Sequence, residues 1–112
     1  MRILVIDDDV DGADALAALL TQSGHDVEVA YEGSQALGLS FAAEAAIVDL
    51  TMPAMDGFEV ARRLRQAYGA SLRLIAFSGH DDDVTKRRVK VDFDGYLRKP
   101  ASLADIYKAL QR

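Results

Sequence analysis

The chain has 112 residues, half of them hydrophobic and 28% charged, with a formal net charge of −5 and no cysteine. That length holds one domain, taken as residues 1–112, with a single core and no room for a second. Without cysteine there is neither a disulfide framework nor a thiolate metal site, and the acidic balance argues against general binding to nucleic acid or an anionic membrane.

Met1-Arg2 is followed by only four apolar residues, Ile3-Leu4-Val5-Ile6, before Asp7-Asp8-Asp9. That run is too short for a signal-peptide core or a membrane span, so a cytoplasmic protein is expected. It suits a strand buried on both faces. Ala13, Leu16, Leu19 and Leu20 follow at helical spacing, with Gly24 as the stop. Asp26-Val27-Glu28-Val29-Ala30 alternates instead, as an edge strand with one less buried face does. A short helix is expected through Ala36, Leu37 and Phe41. Ala45-Ala46-Ile47-Val48 is then a central strand, ending in Asp49 and a turn that carries Pro53 and Gly57.

Phe58, Ala61, Leu64 and Tyr68 mark one face of the next helix, which ends near Gly69. Leu72 to Phe77 reads as another buried strand, interrupted only by Arg73 and ending at Ser78-Gly79-His80. Asp81 to Lys90 has helical spacing but few apolar residues. Tyr96-Leu97 forms a short last strand before Lys99-Pro100, and Ser102 opens a final helix with Asp105 placed for a capping box. Five strands alternating with five helices through short linkers predict an α/β (βα)5 doubly wound domain. The first, third and fourth strands read as buried and the second and fifth as edges, which the parallel order 2-1-3-4-5 satisfies.

In that topology the strand ends bring Asp7, Asp8, Asp49, Ser78 and Lys99 to one rim, where open α/β sheets place their sites. Three carboxylates within a few ångströms repel by roughly 4 kcal/mol per pair at an effective dielectric near 20. Lys99 offsets one charge, and a divalent cation would neutralise the remainder; an all-oxygen ligand set favours a hard ion such as Mg²⁺. These parts suit phosphoryl transfer, which needs positioning and charge stabilisation. Asp49 offers a carboxylate nucleophile, Lys99 and the Ser78 hydroxyl neutralise phosphoryl oxygens, and Gly79 leaves room for their approach. Alone, each piece has an ordinary reading: a strand-ending acid, a solvated helix entry, a surface lysine. It is their meeting at four strand ends that is specific.

The sequence resembles the receiver domain of two-component response regulators, the CheY-like proteins of flavodoxin-like topology, over essentially its whole length. The stretches that carry the resemblance are Ile3–Asp9, Val48–Gly57, Phe77-Ser78-Gly79 and Tyr96-Leu97-Arg98-Lys99-Pro100. The resemblance implies a signalling switch that catalyses only its own phosphorylation and dephosphorylation. Asp49 would accept the phosphoryl group from a histidine kinase or a histidine phosphotransfer protein. Asp8, Asp49 and the Thr51 carbonyl would hold Mg²⁺ directly, and Asp7 would do so through water. Ser78 and Lys99 would contact the phosphoryl group, the Lys99–Pro100 bond would be cis, Ser78 and Tyr96 would form the switch, and Thr51 and His80 would tune phosphoryl lifetime. Docking of a downstream protein or a second copy would use the fourth helix, fifth strand and fifth helix, with no direct nucleic-acid or membrane contact.

Three features depart from the family pattern. Ser78 stands for the commoner threonine. The turn before the last strand, Val91-Asp92-Phe93-Asp94, offers no glycine until Gly95, so a left-handed conformation is expected at Asp92 or Asp94. The chain ends with its last helix, and no output domain is expected to follow.

The fourth helix is expected to be weakly anchored and mobile, ordered by phosphorylation through Ser78 and Tyr96. Val84 and Val91 would be its core face, with Arg87 and Arg88 between them, and Asp82–Lys86 and Asp83–Arg87 would pair along it. Lys86, Arg87 and Arg88 would meet an acidic partner or a second copy. Three other readings fit the sequence less well. A haloacid-dehalogenase-like phosphatase lacks its second aspartate in Asp49-Leu50-Thr51. A flavodoxin-like cofactor binder would have its phosphate repelled by Asp7-Asp8-Asp9. A receiver that binds partners without phosphorylation has no need of the intact acidic pocket.

Overall fold

The computed structural model describes residues 1–79 and 82–111. Ten elements alternate: β1 (Arg2–Ile6), α1 (Val10–Gln22), β2 (Asp26–Ala30), α2 (Gly33–Gly38), β3 (Ala45–Asp49), α3 (Gly57–Tyr68), β4 (Arg73–Ser78), α4 (Asp83–Asp92), β5 (Gly95–Arg98) and α5 (Leu103–Leu110). The strands form one parallel sheet in the expected order β2-β1-β3-β4-β5. Every residue of β3 is buried, whereas β2 alternates exposed and half-buried side chains until Ala30. This is the burial an interior strand and an edge strand should have.

Period-two alternation sends side chains to two cores. Leu4, Ile6, Ala46, Val48, Leu74 and Ala76 pack with residues of α2, α3 and α4, among them Ala36, Phe58, Leu64 and Val89. Ile3, Val5, Ile47, Ile75 and Leu97 pack instead with Leu16 and Leu20 of α1 and Ile106 and Leu110 of α5. Helices on both faces are what a buried parallel sheet requires. Four helices begin on a side chain that accepts from the first-turn backbone: Asp9 for α1, Asp56 for α3, Asp82 for α4 and Ser102 for α5. At Ser102 the bond is reciprocated by Asp105, completing the capping box.

Four expectations need correction. The helix through Phe41 stops at Gly38, because Leu39 turns to extended backbone. Phe41 lies beyond it, half-buried against the core, and its carbonyl accepts the Tyr68 hydroxyl at 2.6 Å. Neither Asp92 nor Asp94 is left-handed; among the described non-glycine residues only Ala54 has positive φ, at 69°. The turn before β5 is held by side-chain chemistry instead. The Asp94 carboxylate accepts from the Leu74 N–H and from Arg65, both at 2.8 Å, while the Asp94 N–H donates to the Leu74 carbonyl at 2.7 Å.

The third correction concerns the face of α4. Val84 and Val91 point outward, 61% and 83% exposed, and the buried anchors are Val89 and Phe93. Phe93 meets the Phe58 ring edge-on at 5.9 Å, and the Arg88 guanidinium lies 3.9 Å from the Phe58 centroid. Those aromatic contacts fix the rotation of α4 and leave the valine stripe in solvent. The fourth is the Asp83–Arg87 pair: Arg87 Nε donates to the Asp83 backbone carbonyl at 3.3 Å instead.

Candidate functional site

The site lies at the carboxyl ends of β1, β3, β4 and β5. Asp49 is the last residue of β3 and Asp7 follows β1; both are buried, with Asp8 exposed beside them. One carboxylate oxygen from each of Asp7, Asp8 and Asp49 lies within 4.8 Å of the others. Lys99, just beyond β5, donates to Asp7 Oδ2 at 2.8 Å and has its Nζ 3.6 Å from Asp49 Oδ1. Its own backbone N–H donates to the Ser78 carbonyl at 2.8 Å, which ties β5 to β4 at this rim. The Lys99–Pro100 peptide is cis, as the resemblance implied.

Local hydrogen bonds hold the two buried acids in place. Asp7 Oδ1 accepts from the Asp9 N–H at 3.0 Å, and Asp49 Oδ1 accepts from the Thr51 N–H at 3.2 Å. The turn after β3 approaches closely at Gly57. A Cβ there would lie 2.7 Å from the Leu50 Cα and would also strike the Asp49 carbonyl, so only glycine fits. That contact explains the glycine in the Pro53–Gly57 turn, while the left-handed residue of the same turn is Ala54.

Burial and charge perturb both key groups. Burial first, and then the Asp7 charge, push the Asp49 carboxyl from 3.8 up to about 7; the Thr51 N–H and Lys99 pull it the other way. Burial would depress the Lys99 ammonium, but its hydrogen bond to Asp7 and the charges of Asp49 and Asp7 outweigh that and raise it. A carboxyl held this high is one whose negative charge is under-compensated. Three oxygen donors with no nitrogen or sulfur among them form a donor set that fits a hard divalent cation.

The other sequence-identified residues fall around this centre. Ser78 ends β4 and is 2% exposed. Tyr96 is half-buried against the α2–α3–α4 core, opposite Ala76 in the β4–β5 register and on the same side of the sheet as Ser78. Thr51 is exposed, two residues beyond Asp49. His80 lies outside the described residues. Sequence reading passed over Phe77, which pairs in register with Asp49 and carries the Lys99 ammonium 5.0 Å from its ring centroid. The available signal was its place one residue before Ser78, on the strand beside Asp49.

The model of the response regulator receiver domain family matches residues 3–111. The response regulator MprA of Mycobacterium avium (strain 104) is 37% identical over 110 residues, covering 95% of this chain and 47% of that protein. The chain thus spans about half the length of the curated relatives it matches. The chemotaxis protein CheY4 of Vibrio cholerae superposes with a TM-score of 0.88 at 27% identity, over 99% of this chain and 96% of that one. A response regulator from Burkholderia pseudomallei, solved with a phosphorylated aspartic acid, a calcium ion and citrate, gives 0.87 at 32% identity, over 98% and 66%. With its sheet order, its acidic rim and these matches, the chain belongs to the response regulator receiver domain family.

Proposed function

We propose that residues 1–112 form one receiver domain that accepts a phosphoryl group on Asp49 and thereby changes its partner binding. The observation that carries this reading is the placement of Asp49: buried at the end of the central strand, within 4.8 Å of Asp7 and Asp8, and 3.6 Å from Lys99. The aspartyl phosphate and divalent ion of the Burkholderia pseudomallei regulator support it by similarity. An Asp49 Oδ attacks phosphorus as the bond to the donor's imidazole nitrogen breaks, giving an acyl phosphate and returning the electron pair to the ring. Donor proteins are histidine kinases or histidine phosphotransfer proteins.

Asp8, Asp49 and the Thr51 carbonyl would hold Mg²⁺, with Asp7 contributing through water; the ion supplies neutralising charge as the two anions meet. Lys99 moves from its carboxylate partners to a phosphoryl oxygen, and the Ser78 hydroxyl donates to another. Ser78 and Tyr96, which share the α4 side of the sheet, would pass the change to the face of α4, β5 and α5, where a downstream protein or second copy would dock. Thr51, with His80, controls the approach of water and so phosphoryl lifetime. Turnover of external metabolites is not part of this function. Among the described residues no helix is long and apolar enough to cross a membrane.

Intact-mass measurement after acetyl phosphate with Mg²⁺ tests the reading. One labile phosphoryl adduct is expected on the wild type and none on Asp49→Asn; a full-strength adduct on that variant would refute the assignment.

A further inference from the structure

Lysine reaches its targets on four rotatable bonds, so an ammonium that must sit between two carboxylates needs something to hold it there. Asp7 and Asp49 hold Lys99 only while their own charges are free. Once those oxygens face a cation and a phosphoryl group, their grip on the ammonium weakens. An aromatic face attracts the same ammonium without titrating and without binding the ion.

Phe77 offers that face. It is the register partner of Asp49 across β3–β4, and alternation puts it on the α1–α5 side of the sheet with Ile47 and Ile75. Its half-buried ring lines a groove with Leu16, Leu19, Pro100, Ala101 and Ile106, and the Lys99 Nζ stands 5.0 Å from the ring centroid. The apolar side chains of this groove lie on one side of the pair, with Asp7 and Asp9 also among its lining, and a cation–ring contact is attractive even where it is partly solvated. As simple filler the ring could be replaced by any side chain of its volume. Its placement beneath an ammonium that also touches Asp7 and Asp49 is what filler does not explain.

We infer that Phe77 is a positioning residue, whose ring face keeps the Lys99 ammonium at the Asp49 end of the site, beside the free carboxylate before a phosphoryl group arrives and beside a phosphoryl oxygen after it. This rests on the phosphoryl-acceptor reading above. The test replaces Phe77 with leucine, with tyrosine, and with pentafluorophenylalanine, which keeps the ring's shape and reverses its charge distribution. Beryllofluoride with Mg²⁺ serves as the phosphoryl mimic, and its dissociation constant is measured by NMR alongside the melting temperature. The Lys99 ε-methylene shift is recorded in metal-free protein.

Phe77→Leu and the pentafluoro variant are expected to bind beryllofluoride about 3–10-fold more weakly, while Phe77→Tyr restores wild-type affinity. The pentafluoro variant should melt within a few degrees of wild type, which separates positioning from folding. In metal-free wild type the Lys99 ε-methylene should be shifted upfield by the ring, and Phe77→Leu should abolish that shift. Wild-type affinity in the pentafluoro variant, or an unshifted Lys99 methylene in wild type, would overturn the inference. A wild-type protein that takes up no beryllofluoride would overturn the acceptor reading and this inference together, a failure visible before any substitution is made.

Discussion

Replacing Asp49 by asparagine should make the metal-free protein more stable at neutral pH, although it destroys the proposed acceptor. With carboxylate oxygens within 4.8 Å of one another, each Asp pair repels by about 3.5 kcal/mol at an effective dielectric near 20. The Lys99 contact at 3.6 Å returns about 4.6 kcal/mol on the same scale. Neutralising Asp49 removes two repulsions and one attraction, a net gain of about 2 kcal/mol. The pH dependence has the same sign. Asp49 is raised from 3.8 in the unfolded chain to about 7 in the folded one, so the native state binds more protons between those values and stability falls as pH rises through them. Complete burial would make that loss about 4 kcal/mol, but water reaching the exposed Asp8 screens it toward the lower figure. Urea unfolding in a metal chelator at pH 4.5, 6 and 8 measures it. Wild type should lose stability across the series and Asp49→Asn should be nearly flat, the two curves separating by about 2 kcal/mol at pH 8. An Asp49→Asn protein equal to or weaker than wild type at pH 8 would refute the claim that the charges of this site are uncompensated.

Asp94→Ala should cost about 1–2 kcal/mol at pH 7, because it orphans the buried Leu74 N–H. The Asp94 carboxyl is partly buried, but its bonds to the Leu74 N–H and Arg65 outweigh burial and hold it below the usual range. The penalty should therefore be full above the unfolded-chain value and fade as urea midpoints are taken through more acidic pH. Ala54→Gly should stabilise by about 0.5–1 kcal/mol in thermal melts, because a left-handed alanine is strained where glycine is not; a loss of stability would show that the turn needs the methyl group. Mg²⁺ should raise the melting temperature of wild type, and Asp8→Ala should remove most of that rise; an undiminished rise would place the ion elsewhere.

Much of the architecture was legible because burial in a parallel sheet writes itself directly into apolar runs. Ile3–Ile6 and Ala45–Val48 could only be interior strands, the alternation of Asp26–Ala30 only an edge, and those assignments dictated the sheet order. The acidic rim was legible for the same reason: each apolar run ends in its functional residue. What escaped depended on contacts distant in sequence. Asp94 stands in the turn before β5, and nothing nearby reveals that its carboxylate reaches the Leu74 N–H twenty residues back. In α4 the seven-residue spacing of Val84 and Val91 looked like a core stripe. The Phe58 ring presented by α3 selects Phe93 and draws Arg88 over itself, rotating that stripe into water. The left-handed residue of the β3–α3 turn fell on Ala54 while Gly57 was required by a close approach, two demands that sequence alone does not separate.

The anchoring of α4 is unequal along its length. Val89 is its only buried residue and Phe93, just past its end, is the next anchor, whereas Asp83 to Arg88 are exposed or half-buried. The helix is in effect a cantilever, clamped at the end that leads into β5 and without a buried side chain over a span of about 9 Å at the end nearest Ser78. A beam of this kind turns a sub-ångström displacement near its first turn into a tilt of its whole outer surface, while the clamp keeps the rest of the sheet undisturbed. Local unfolding free energy should follow the same gradient, lowest in the first two turns. The exposed Val84 sits on the unburied span and the exposed Val91 between the two anchors, so a partner touching both would sense the angle of the beam as well as its presence.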